Sequence, residues 1–91
     1  MKKISLMKKA AIKHKHIIGT RWDGLGKMFR DRLKMEFIDK TNCIYTSMPD
    51  RYPMTYKLMK DKIFVNEIQE PFEIRGNILF NGEIPVFKKA A

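Results

Sequence analysis

Between residues 32 and 88 the chain is written in short runs of alternating apolar and polar side chains, separated by pairs of turn-forming residues. In Arg32-Leu33-Lys34-Met35-Glu36-Phe37, the apolar Leu33, Met35 and Phe37 share one face and the charged residues the other, as in a half-buried strand. Met54-Thr55-Tyr56-Lys57-Leu58 and Phe72-Glu73-Ile74-Arg75 repeat the alternation, while Gly76-Asn77 and Asn81-Gly82 fall where tight hairpins need positive φ. The pattern predicts a β-meander.

The rest of the chain extends it. Ile17, Ile18, Thr20 and Trp22 favour a first strand, because β-branched and aromatic side chains suit a pleated surface. Asp23-Gly24-Leu25-Gly26 breaks that strand, and residues 27–31 then form a helical turn or a crossing loop with Met28 and Phe29 as a lid over the core. Further strands are expected over 43–48, 54–59, 62–66, 72–75, 78–80 and 84–87. Two prolines in Met48-Pro49-Asp50-Arg51-Tyr52-Pro53 argue for a longer loop without ladder pairing. Seven or eight short strands expose too many edges as an open sheet, and no segment is long enough for a crossover helix. The expected fold is therefore all-β: a small antiparallel meander closed into an up-and-down barrel over residues 17–91, preceded by a basic arm over 1–16 that is mobile or helical.

With 91 residues there is room for one domain with one small core, and 44% hydrophobic residues place it among globular rather than disordered chains. The net charge of +9 is uneven: residues 1–16 hold six lysines and no acid, and the remainder is close to balanced. A basic arm on a near-neutral body attracts polyanions through counterion release, and it equally serves solubility alone. Ile4, Met7, Ala11 and Ile18 fall near helical spacing, so the arm is also compatible with a thin amphipathic helix. No stretch approaches the roughly 18 apolar residues of a membrane-spanning helix. The apolar residues 4–7 are cut off by Lys8 and Lys9, short of the about 7 to 15 that a secretory signal needs, and the single Cys43 fits a reducing compartment. Cytoplasmic residence is the expectation.

Gly19-Thr20-Arg21-Trp22 opening the first strand, followed by a run of hairpins to residue 88, resembles a miniature calycin, the family of lipocalins and fatty-acid-binding proteins. The family's pattern is Gly-x-Trp, with the tryptophan plugging the barrel floor near a basic residue of the last strand. Here one extra residue separates Gly19 from Trp22, and Lys88 or Lys89 would supply the basic partner. The resemblance implies an apolar pocket or, in a chain this short, a filled core with binding at the open end or outer face, or a barrel completed by dimerisation. A filled core is favoured, because a small barrel leaves little space once its side chains are placed. Met28, Met35, Met48, Met54 and Met59 suit an adaptable lining, although ordinary core packing is their commoner role.

Other constellations are sparse. His14 and His16 would share a face if extended, as a metal pair needs, but no third ligand lies near them in sequence. Cys43 has no neighbouring base to activate it and reads as a buried strand cysteine. Asp23, Asp31, Glu36 and Glu73 are not paired in sequence and read as solvent-facing partners of lysines and arginines. Asp23-Gly24-Leu25-Gly26 lacks the residues of a phosphate loop. The expected function is a non-enzymatic binding module without cofactor, recognising a protein or a small apolar ligand through Trp22, Met28, Phe29, Met54 and Tyr56. The alternative is a nucleic-acid-binding barrel. It would use Lys8, Lys9, Lys13, Lys15, Arg30, Arg32 and Lys34, with Tyr45, Tyr52, Tyr56 and Phe64 offering rings for base stacking.

If Asn81-Gly82 is a type I′ turn, both residues need positive φ, and Gly82→Val should lower the melting temperature clearly. An unchanged thermal midpoint by circular dichroism would count against that turn.

Overall fold

The computed structural model describes residues 13–90. One short helix, α1 (His14–Ile17), is followed by eight strands: β1 (Arg21–Gly24), β2 (Leu33–Phe37), β3 (Asn42–Ser47), β4 (Asp50–Met59), β5 (Lys62–Val65), β6 (Phe72–Arg75), β7 (Ile78–Asn81) and β8 (Ile84–Lys89). Each pairs antiparallel with the next and β8 returns to β1, so the meander is a closed barrel as the sequence predicts. Among the described residues no helix is long and apolar enough to cross a membrane. Residues 1–12, with most of the basic arm, lie outside the described residues.

Register explains the core. Trp22 stands opposite Met35, Met35 opposite Tyr45, and Phe37 opposite Cys43. The same inward face continues through Tyr56 opposite Val65, Ile63 opposite Phe72, and Leu79 opposite Phe87. Trp22, Met35, Phe37, Cys43, Ile63 and Leu79 are essentially inaccessible to water, so the interior is occupied by side chains. Alternation in sequence and alternation in burial thus coincide along β2, where Leu33, Met35 and Phe37 face inward.

Ile17 and Ile18 do not begin a strand. Ile17 ends α1 and is completely buried, whereas Ile18 is exposed. A helix of four residues has no stability of its own, and burial of Ile17 against the barrel floor holds it. The chain then joins the ladder early: Gly19 donates its N–H to the carbonyl of Phe37 at 2.7 Å, and Phe37 donates to that of Thr20 at 3.1 Å. Thr20 Oγ1 donates to the carbonyl of Ile17 at 2.6 Å and accepts from Trp22 Nε1 at 3.0 Å. The buried indole N–H is therefore satisfied, as an aromatic with a polar edge requires.

Two further expectations are corrected. Asp23 and Gly24 belong to β1 rather than interrupting it, and the break comes at Leu25. Gly24 is needed for a close approach: a Cβ there would lie 2.5 Å from the carbonyl oxygen of Phe29. The segment 25–32 thus folds back onto β1 through helical-type turns, with Arg30 N–H to the Gly26 carbonyl at 2.9 Å and Leu33 N–H to the Phe29 carbonyl at 2.9 Å. Met28 and Phe29 nonetheless point away from the core and are exposed, so they do not form a lid.

The region 48–53 is not a long loop either. A tight turn containing the cis Met48–Pro49 peptide leads directly into β4, and Pro53 pairs with Ile44. Residues 50–54 pair with β3 alone, whereas β5 engages β4 only from Tyr56 onward, and a strand with one open side tolerates a proline's missing donor. The β7–β8 turn also shifts. Asn81 pairs with Ile84, so the central residues are Gly82 and Glu83, and only Gly82 has positive φ (63°). That is the type II′ pattern, with glycine first; Gly76 before Asn77 repeats it between β6 and β7.

Gly24→Ala should destabilise the barrel by about 1–3 kcal/mol, because the clash is with backbone rather than with a flexible side chain. Urea unfolding checks this, and a midpoint within error of the parent would show that segment 25–32 can move aside at no cost.

Candidate functional site

The topology gives the barrel two unlike ends. At one, α1, the start of β1 and the β2–β3, β4–β5 and β6–β7 turns close the floor with Ile17, Trp22, Phe37 and Tyr56. At the other lie segment 25–32, the β3–β4 turn, the 66–71 connection and the β7–β8 turn. This second end is open and forms a mouth.

The mouth holds a depression of about 290 Å³. Leu33 opens β2 and Tyr45 lies on the inward face of β3; Phe72 opens β6, and Phe87 comes from β8. Ile68 reaches in from the 66–71 connection, and Asn81 ends β7. Val86 completes the lining through a bulge: Pro85 pairs with Phe80 and Phe87 with Leu79, which leaves Val86 as an extra residue on β8. A bulge re-aims a side chain, and here it brings to the mouth a residue that strict alternation would send outward. Asn81 Nδ2 donates to the carbonyl of Glu70 at 2.8 Å and Gly82 N–H to that of Pro71 at 3.1 Å, so the 66–71 connection is tied to the β7–β8 turn. Tyr45 also stacks on the more exposed Tyr52, with centroids 6.1 Å apart and planes 22° apart, extending the apolar rim along β4.

Two larger depressions lie elsewhere among the described residues. One, about 480 Å³, runs along the β1–β8 seam beside Asp23, Lys27, Arg30, Lys88 and Lys89. Its carboxylate is already engaged, since Asp23 takes Arg21 and Lys34, each at 3.4 Å. The other, about 640 Å³, lies at the β4–β5 wall beside Thr41, Tyr56, Lys57, Phe64, Val65 and Ile68, so the predicted site residue Tyr56 borders it. Each of these draws its lining from two strands, β1 and β8 in the first and β4 and β5 in the second, whereas the mouth draws on β2, β3, β6, β7 and β8.

The residues singled out from sequence are not brought together. Trp22 and Tyr56 are core residues at the floor, Met54 is half-buried opposite Cys43, and Met28 and Phe29 are exposed at the mouth, at the far end of β1 from the floor. Of the cations in the nucleic-acid alternative, Lys8 and Lys9 lie outside the described residues. Lys13 and Lys15 belong to the α1 end, Arg30 and Arg32 lie on the mouth segment, and Lys34 pairs with Asp23. None of the seven mouth residues is among the ligand-binding residues singled out from sequence: Leu33, Phe72 and Phe87 read there only as strand residues, and for Val86 no sequence signal announces a bulge.

The remaining titratable groups are held in structural roles. His14 and His16 lie on α1, where residues two apart diverge by about 200°, and His16 Nδ1 accepts from the Lys13 N–H at 3.4 Å. No group of three metal-ligating side chains occurs among the described residues. Asp39 is held below the usual carboxylate range by hydrogen bonds from the Asn42 side chain and from the N–H groups of Thr41 and Asn42, which build the β2–β3 turn. The Tyr56 hydroxyl donates to the Asp39 carbonyl, and burial, reinforced by Cys43 and Asp39, raises its pKa. Glu36 meets Arg51 at 3.7 Å. Glu73 faces outward but is not solvent-facing: it is buried beneath Lys62 at 3.1 Å and Arg75 at 3.3 Å, and Arg75 lies 4.2 Å from the Phe80 ring centre.

The site is thus an apolar mouth on a small closed antiparallel barrel. No protein-family model, curated protein or solved structure matches the chain.

Burial pushes the Cys43 thiol from 9.0 up to about 11. At pH 8 its thiolate population is therefore about 100-fold lower folded than unfolded. Labelling by dithiobis(nitrobenzoate) should be slower than in guanidinium by at least that factor; rapid labelling of the native protein would show Cys43 reachable from solvent. Because the folded state holds this proton more tightly, its contribution to stability is present below pH 9 and lost as pH rises through about 11.

Proposed function

We propose that this protein is a non-enzymatic binding module whose barrel mouth receives a small apolar group, either a compact ligand or an apolar side chain presented by a protein partner. The observation that carries this reading is the convergence of Leu33, Tyr45, Ile68, Phe72, Val86 and Phe87 on one depression, with Asn81 as its polar member. An apolar concavity with few polar groups is the usual form of such a site. At about 290 Å³ it suits a group the size of a ring system rather than a long chain, and the packed core beneath offers no deeper chamber.

Resemblance to a calycin is supported by one register pair: Trp22, at the floor, stands opposite Lys89 of the last strand, matching the tryptophan and basic residue that the family pairs there. A binding rather than catalytic role is supported by the engagement of Asp23, Glu36 and Glu73 with cations and by the burial of Cys43.

Indole is a suitable probe, with an expected dissociation constant on the order of millimolar. In methyl-detected NMR it should shift Leu33, Ile68 and Val86, with little dependence on salt. Val86→Lys should weaken the interaction about tenfold while leaving the thermal midpoint nearly unchanged, because Val86 is only half-buried. Shifts confined to residues away from the mouth, or none at all, would overturn the proposal.

A further inference from the structure

In an eight-stranded closed meander, the β1–β2 and β5–β6 connections are four strands apart and therefore face each other across the mouth. Their charges are opposite. Segment 25–32 carries Lys27, Arg30 and Arg32 against one acid, Asp31, whereas the 66–71 connection carries Glu67 and Glu70 and no cation. All of these side chains are exposed, and among the described residues Lys27, Arg30, Arg32, Glu67 and Glu70 enter no ion pair. The β3–β4 turn between them is balanced, with Asp50 beside Arg51. The mouth is thus polarised from one side to the other.

The same end carries unusual apolar exposure. Of nine large hydrophobic side chains left exposed among the described residues, five lie there: Met28 and Phe29 on the basic segment, Met48 in the β3–β4 turn, Tyr52 on β4 and Ile84 beside the β7–β8 turn. Met28 is 76% exposed and Ile84 65%. A cluster of this kind around an apolar depression marks an interaction surface, and the polarity of the rim says what fits it.

We propose that two copies of this chain close mouth to mouth as a two-fold symmetric dimer. Place the axis between the mouths, perpendicular to the line joining segment 25–32 to the 66–71 connection. The basic segment of each copy then lies over the acidic connection of the other, and the match occurs twice, as an isologous interface requires. Met28 and Phe29, carried on the basic segment, meet the other copy near its Ile68 and Ile84, so the most exposed apolar side chains leave water together. Any other orientation of the two mouths sets like charges against each other or leaves Met28 in solvent. The inference rests on reading the mouth as the receiving site and names a second copy as its occupant.

Sedimentation velocity on the full chain from about 5 µM to about 1 mM tests it, with expected dimerisation inside that range. Reversing the basic side (Lys27→Glu, Arg30→Glu, Arg32→Glu) or the acidic side (Glu67→Lys, Glu70→Lys) should weaken self-association about tenfold or more, each variant keeping the parental circular dichroism and thermal midpoint. Mixed in equal amounts, the two variants should restore a heterodimer, because every facing pair is then opposite in charge. A parent that stays monomeric throughout the range, a dimer untouched by either reversal, or a mixture that does not associate overturns the proposal. Indole titration of the monomeric acidic-side variant separates this from the mouth reading. Shifts at Leu33, Ile68 and Val86 without parental dimerisation leave the mouth as a binding site and remove the second copy as its occupant, whereas absence of both shifts and parental dimerisation removes both.

Discussion

The pairing of β8 with β1 removes the last free edges of the sheet, and the seam it makes sets the shape of everything else. Trp22 stands opposite Lys89 and Gly24 opposite Phe87, so the largest side chain of β1 lies toward the floor and its smallest residue lies at the rim. That order gives the barrel its two ends. At the floor the indole fills the interior and its N–H is satisfied through Thr20, which in turn fastens Ile17 and α1. At the rim the absence of a Cβ on Gly24 admits the Phe29 backbone and draws segment 25–32 against the strand. Had the large and small residues been exchanged, that segment would have been pushed away from the rim and the floor left hollow.

A filled interior has a functional consequence. With Met35, Ile63 and Leu79 occupying the middle of the barrel, no chamber of the kind larger barrels enclose remains, and recognition is displaced to the surface of the open end. The bulge at Val86 contributes to that surface by adding one residue to β8 where the strand runs from the mouth into the core. Segment 25–32 and the 66–71 connection, on opposite sides, add charge of opposite sign. Shape, apolar exposure and polarity therefore coincide at one end of the molecule, while Lys13 and Lys15, at α1, belong to the opposite end.

Much of the barrel was legible because alternation reports directly on which way a strand side chain points. Leu33, Met35 and Phe37 are the clearest instance, and the hairpins at Gly76 and Gly82 follow from the backbone freedom of glycine. The misreadings share a cause. Ile17 is β-branched and looks like strand, but its place is set by the hole at the barrel floor. Pro53 looks like a strand breaker, yet β5 pairs with β4 only beyond it, so no neighbour there asks for its missing N–H. Gly24 reads as punctuation because a glycine in sequence does not say whether it serves a turn or a close approach. Glu73 reads as a solvent-facing acid because alternation assigns a face and says nothing of the Lys62 and Arg75 side chains that cover it.

The sequence by itself determined an antiparallel meander, its inward residues and the need for closure, since these depend on period-2 patterning and local turn chemistry. It also determined that charge would be unevenly spread. Only the tertiary structure decided where that charge meets apolar surface: which connections share an end, which of them face each other across the mouth, and that Val86 joins Leu33, Tyr45 and Phe72 there. Those are properties of register and closure around the whole barrel. They arise from contacts between residues far apart in the chain, which no local pattern encodes.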